Sequence, residues 1–204
     1  MHRAVFCLII SCWISLSIAY GVPEYCDPDQ EYDDCECEDT DVEPCYQRNC
    51  PDSTWRRFVR PSGNVVCFKP ITQNVNYAGA VSLCSSLTSN SKLFGIETQE
   101  EFDYLKSALG NRWYYIGAYR KDGCHAPKSV LLSRPECSVD KMFVFSDGVT
   151  EGTFLWNNHW SAQNPDSFYR NGEFESVIGI YNGLVGDWST VDILHGAVCG
   201  LALC

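Results

Sequence analysis

The acids in the last third of the chain are the first place to look for chemistry. Asp147, Asp166, Glu173, Glu175 and Asp187 could supply the two carboxylates that glycoside hydrolysis needs. Acids beside turns, however, more often cap the backbone or face solvent, and these five are read that way. Hydrolysis by an activated nucleophile has no support either. No Gly-x-Ser-x-Gly elbow occurs, and His159 and His195 have no recognisable partner in the sequence. The chain is therefore expected to bind rather than catalyse. Its 13 cysteines include no Cys-x-x-Cys pair, and with so few histidines a closed zinc site is not expected. Aromatic residues offer a different chemistry, because their faces stack on sugar C–H surfaces or on apolar side chains of a partner. Trp156, Phe168 and Tyr169 fall in a stretch without periodicity, and Trp156 and Tyr169 are taken as ligand contacts.

The elements that must position these residues read as α+β. Between Val75 and Leu87, the residues Ala80, Val81, Cys84 and Leu87 share a helical stripe, which turns Cys84 toward the core. A second helix starts at Thr98, which forms a capping box with Glu101, and Phe102, Leu105 and Leu109 supply its buried face. Strands are expected over Trp113 to Tyr119, Met142 to Phe145, Val177 to Tyr181 and Ala197 to Leu203. The stretch from Ser146 to Ser176 is rich in Gly, Asn, Pro and Asp and shows no helical period. A loop that long inside a domain is usually functional.

Charge and cysteine use set the compartment. The formal net charge of -11 opposes nucleic-acid binding, which needs clustered Lys and Arg. Eleven acids lie between Glu24 and Glu43 without a base, leaving 15 acids and 14 bases over residues 44–204. The acidity thus belongs to an extended, solvated segment; with no Gly between Pro23 and Gly63, that segment is not an EF-hand loop. His2 and Arg3 precede an apolar run to Ala19, the pattern of a secretory signal peptide, with a signal anchor as the rival reading because no charge appears between Arg3 and Glu24; no other stretch could cross a membrane. The expected organisation is a signal peptide over residues 1–19, an acidic Cys-containing segment over 20–49 and one domain over 50–204, with the protein secreted. Eleven cysteines remain after cleavage, and an odd number implies a free thiol or a covalent dimer. No Asn-x-Ser/Thr sequon exists, so no N-linked glycan is expected.

Cys50-Pro51, Trp55, Val66-Cys67-Phe68, Ala80 with Cys84, Leu93 with Ile96, Tyr115-Ile116-Gly117, Ser146-Asp147-Gly148, Trp160 and Cys199 together resemble a C-type lectin-like domain. The Cys50-Pro51 start is similar to the long form of that family, and the insertion holding Cys124 and Cys137 is similar to that of secreted invertebrate members. The resemblance implies an α+β fold of two helices, small antiparallel sheets and a long-loop region. It also implies disulfides Cys50–Cys67, Cys84–Cys199 and Cys124–Cys137, with Cys26, Cys35, Cys37, Cys45 and Cys204 unassigned. The family's second core disulfide would fall at Ser176 and Ile193, and both cysteines are missing. Trp160 and Trp188 match framework positions of the core.

In sugar-binding members of the family, two triplets share a calcium ion that accepts two sugar hydroxyls, and such an ion wants about six to eight oxygen ligands. Here Asn164-Pro165-Asp166 matches the first triplet with amide and acid exchanged, and the second reads Trp188-Ser189-Thr190, without its amide and carboxylate. A calcium site would rest on Asn164, Asp166 and Glu173, with Glu175 as the alternative to Glu173; it is expected to be depleted. The resemblance implies a secreted recognition protein that binds a glycan or glycoprotein through Asn164, Asp166, Trp156 and Tyr169, with weak or no calcium dependence, at an epithelial surface or in innate immunity. The alternative is a protein-binding or structural extracellular module that has lost both ion and sugar.

Overall fold

A computed structural model describes residues 45–204. The expected signal peptide and most of the acidic segment lie outside the described residues, as do the cysteines at positions 26, 35 and 37 and the side chain of Cys45. No helix among the described residues is long and apolar enough to cross a membrane.

After a 3-10 turn at Cys45–Gln47 come β1 (Arg56–Val59), β2 (Val65–Val75), α1 (Tyr77–Ser85), β3 (Lys92–Leu93), α2 (Gln99–Leu109) and β4 (Tyr114–Arg120). The insertion contributes the short α3 (Lys128–Leu131) and a 3-10 turn at Pro135–Cys137. There follow β5 (Phe143–Phe145), α4 (Phe154–Asn158), β6 (Tyr169–Arg170), β7 (Glu173–Phe174), β8 (Val177–Tyr181), β9 (Leu184–Trp188) and β10 (Leu194–Ala202). The main sheet runs β1-β2-β10-β4-β8-β9, with β3 on β10 and β5 on β4; β10 and β4 pair in parallel. Strand β10, near the carboxyl end, therefore sits in mid-sheet between β2 and β4 and holds the first and middle parts of the chain together. Residues 45–49 are bound to this body as well: Arg48 donates to the Leu203 carbonyl at 2.6 Å, and Arg57 donates to the carbonyls of Tyr46 and Arg48.

Local signals account for both long helices. Asn76 caps α1 through the Gly79 N–H, and Thr98 and Glu101 form the capping box that starts α2. Of the stripe expected on α1, Ala80 and Cys84 are buried, but Val81 is 42% exposed. Adjacent residues lie about 100° apart around a helix, so Val81 leaves the buried face on which Ala80 and Cys84, four apart, both stand. Gly117 in β4 is required by close approach: a Cβ there would lie 2.4 Å from the Leu93 carbonyl oxygen.

The disulfides are Cys50–Cys67, Cys84–Cys199 and Cys124–Cys137, the pairs implied by the resemblance. Cys204 is also disulfide-bonded, which removes it from the candidates for a free thiol. A fully buried ion pair adds to the interior. Arg60 donates from Nε to Glu101 Oε1 at 2.7 Å and from Nη1 to Thr150 Oγ1 at 3.0 Å, tying α2 to the loop after β5. Burial is tolerable here because every charged atom meets a partner. Asp147 is buried and accepts hydrogen bonds from the backbone of Gly95, Val149 and Thr150, so it pins the Ser146-Asp147-Gly148 turn.

The stretch from 146 to 176 is less irregular than its composition implies. Helix α4 turns Leu155 and Trp156 inward, and the Trp156 ring stacks on Phe145 at 5.2 Å and on Trp160 at 5.6 Å. Trp156 is only 3% exposed, so the expected ligand contact at this position is corrected: it is a core residue. Strand β10 also begins at Leu194, three residues before the expected start.

Candidate functional site

Two segments build a polar pocket of about 270 Å³ at the long-loop face. Strand β9 supplies Gly186, Asp187 and Trp188, while the loop and hairpin before β8 supply Asn164, Asp166, Arg170 and Glu175; Trp113 completes the wall. The Asn164–Pro165 peptide is cis. Arg170 and Glu173 face each other across β6 and β7, joined by Asn171 and Gly172 with φ of 53° and 88°. That left-handed pair makes the tight turn that Asn-Gly favours between two strands.

Inside the pocket the carboxylates are already engaged. Asp187, buried, accepts at Oδ2 from Arg120 Nη2 at 2.6 Å and from the Ser167 N–H at 2.9 Å, and at Oδ1 from the Asp166 N–H at 3.1 Å. The Arg120 guanidinium is held in turn by the Glu175 carbonyl at 2.8 Å and lies 4.6 Å from the Phe143 ring centroid. Arg170 places Nη2 3.1 Å from Glu175 Oε1 and pairs with Asp192 through the same nitrogen. The buried Nε–H of Arg170 meets no acceptor among the described residues.

Burial, then the hydrogen bond to Asp166 and the nearby Asp187 charge, push the Glu175 carboxyl up to about 8. At neutral pH, Glu175 thus keeps a proton and donates it to Asp166. Burial also raises Asp187, against the pull of Arg120. Glu173 goes the opposite way: burial alone would raise it, but bonds from Ser189 and Thr190 outweigh burial and hold it below the usual range. Its Oε1 accepts from Ser189 Oγ at 2.5 Å, Thr190 N–H at 2.7 Å and Thr190 Oγ1 at 2.8 Å.

Of the expected ligand set, Asn164 and Asp166 meet in this pocket and Glu173 does not line it. Glu173 instead fastens the Ser189-Thr190 segment. Among the described residues, one group of carboxylates lies close enough to share a cation: Asp166, Glu175 and Asp187, with oxygens within 4.8 Å of one another. In this arrangement Asp187 has both oxygens engaged and Glu175 faces the Arg170 guanidinium, while Asn164 donates from Nδ2 to Ser161 Oγ at 2.7 Å and keeps its Oδ1 available. Of the three carboxylates only Asp166 is exposed.

Phe168 and Tyr169 stand beside the pocket, 58% and 57% exposed. Arg120 and Arg170 were not foreseen from the sequence. The Asn171-Gly172 pair between Tyr169-Arg170 and Glu173-Phe174 was a readable hairpin signal that would have placed Arg170. Nothing local to Arg120 announces its pairing with Asp187, 67 residues away.

A model of the family described as C-type lectin domain-containing protein 141/158 matches residues 61–186. Similar solved structures include the carbohydrate-recognition domain of cow CD23 in the presence of GlcNAc2Man3 oligosaccharide, with a TM-score of 0.51 and 21% identity over 76% of this chain and 98% of that one. The C-type lectin CEL-I from Cucumaria echinata has a TM-score of 0.53 and 17% identity over 76% and 98%. The C-type lectin domain of murine dendritic cell inhibitory receptor 2, in complex with N-glycan, has a TM-score of 0.51 and 19% identity over 75% and 98%. No curated protein sequence matches the chain. With the family model spanning well over half of the chain and the fold shared throughout the domain, the chain belongs to the C-type lectin domain family.

Proposed function

We propose that this is a secreted lectin that recognises a glycan or glycoprotein through its long-loop face without needing a tightly held calcium ion. One observation carries the reading: Arg120 and Arg170 already supply the positive charge that the carboxylate cluster would otherwise draw from a metal. An internal guanidinium also does part of an ion's work, since Arg170 offers N–H donors to hydroxyl oxygens while Asp166 and Asn164 offer acceptors. The exposed Phe168 and Tyr169 rings provide faces for sugar C–H surfaces. Family membership and the glycans present in the cow and murine structures support the same ligand class. The predicted leader over residues 1–19 and the disulfide-rich domain support secretion. A role in recognition at an epithelial or immune surface follows from the family resemblance.

A glycan array probed with and without chelator tests this proposal. Binding that survives the chelator and weakens in Tyr169→Ala is expected; absence of any glycan signal in both conditions removes the lectin reading. A second reading, a protein-binding module, draws on the exposed apolar side chains Phe168, Tyr169, Val191 and Ile193. It predicts a chelator-insensitive protein complex that persists after enzymatic removal of the partner's glycans.

A further inference from the structure

A second cavity, of about 320 Å³, lies beneath the insertion closed by Cys124–Cys137. Its wall is mainly apolar, with Leu131, Leu132, Pro135, Val139 and Met142 on one side and Pro165 of the long loop on the other. Two features distinguish it from an ordinary packing defect. Its volume falls within the range of small-molecule sites. Its charged lining is also entirely cationic: Arg120, Lys128 and Arg134 contribute, and no Asp or Glu does.

Arg120 is spent on Asp187, but the other two cations are exposed and bind only neutral groups. Lys128 Nζ donates to the Gln163 carbonyl at 2.7 Å, and Arg134 Nη1 donates to the Gly123 carbonyl at 2.9 Å. Neither forms an ion pair among the described residues. The apolar wall thus has uncompensated positive charge where it opens to solvent. Ser138 also lines the cavity, and its hydroxyl bonds to the exposed Asp140 carboxyl, which holds that acid below its ordinary value.

We infer that this cavity binds an amphiphile with an apolar body and a single anionic head, the body lying against Leu131, Val139, Met142 and Pro165 and the head meeting Lys128 and Arg134. At roughly 30 Å³ for each water-sized group, the cavity holds a body of about ten such groups. The wall is shared with the polar pocket. Asn164 and Asp166 line that pocket, while the alternate residues Pro165 and Ser167 line this cavity. The inference does not depend on glycan binding, because none of its contacts is a proposed sugar contact.

Calorimetric titration of the mature chain with decanoate, octanoate and decanol at neutral pH tests it. One decanoate per chain is expected, with octanoate about 14-fold weaker, or nearly fourfold for each methylene lost. Decanol should bind at least tenfold more weakly than decanoate, and the Lys128→Ala/Arg134→Ala double variant should abolish that preference. Val139→Trp should fill the cavity and eliminate binding at an unchanged unfolding midpoint. Should that core variant fail to fold, the double variant decides, since both of its positions are exposed. Equal affinity for decanoate and decanol, equal affinity for decanoate and octanoate, decanoate binding retained in folded Val139→Trp, or no decanoate binding at all overturns the assignment. A negative glycan array leaves it untouched, which separates its failure from that of the lectin reading.

Discussion

Replacing Glu175 by Gln should change how the stability of this domain depends on pH. In the folded chain the Glu175 carboxyl is pushed up to about 8 from an ordinary 4.5, through burial, the bond to Asp166 and the charge of Asp187. Between those two values the folded state holds a proton that the unfolded state has released, so unfolding gives up a proton and stability falls as pH rises. The maximum slope for one group is about 1.4 kcal/mol per pH unit. Over pH 6 to 8 the full effect would be about 2.3 kcal/mol; partial solvent access reduces the expectation to about 1–2 kcal/mol. Gln keeps the shape and can still donate to Asp166, but it does not titrate. Urea unfolding monitored by tryptophan fluorescence, with disulfides intact, would measure both proteins at several pH values. The native chain should lose about 1–2 kcal/mol relative to Glu175→Gln between pH 6 and pH 8, the upper part of a decline that begins near pH 4.5 and levels off above pH 8. Parallel profiles for the two proteins would refute the shared-proton arrangement.

Four further outcomes follow from the same geometry. Arg120→Met should destabilise by about 3–5 kcal/mol, read by the same unfolding assay, because it leaves the buried Asp187 carboxylate without its cation. Trp156→Ala should cost about 3–5 kcal/mol of stability through a core cavity, whereas Tyr169→Ala should leave the unfolding midpoint nearly unchanged and reduce array signal. Titration of the native chain with calcium should show no site tighter than about 10⁻⁴ M, the strong end of extracellular calcium modules. Replacing Cys84 and Cys199 together by Ala should lower stability by about 4–5 kcal/mol, since the bond closes a loop of sequence separation 115.

The sequence was most informative where structure is local. The Thr98 capping box, the buried side of α2 and the span of β8 could be read from residue types and spacing because caps and periodicity act within a few residues. The short elements of the long loop were legible only in part. Asn171-Gly172 announces its hairpin, while α4 is a single turn whose stability comes from packing Trp156 against Phe145 and Trp160. Val81 shows the same limit, because a stripe one residue too wide cannot be trimmed until the neighbouring sheet is in place.

The residues of Asn164-Pro165-Asp166 and the Ser189-Thr190 that stand where the resemblance implies an amide and a carboxylate were legible from the chain itself. Which acids gather there was decided only by folding. Glu173 and Glu175 stand two apart, yet one turns to the hydroxyls of Ser189 and Thr190 and the other to Asp166 and Arg170. Glu175 lies just past the end of β7, so the strand alternation that would put residues two apart on one face no longer governs it. Arg120 reaches Asp187 because β4 and β9 flank β8, a neighbourhood that belongs to the sheet and not to any stretch of sequence. Charge compensation in an interior is a matter of distance in space, and the order of residues constrains that distance only after the strands have paired.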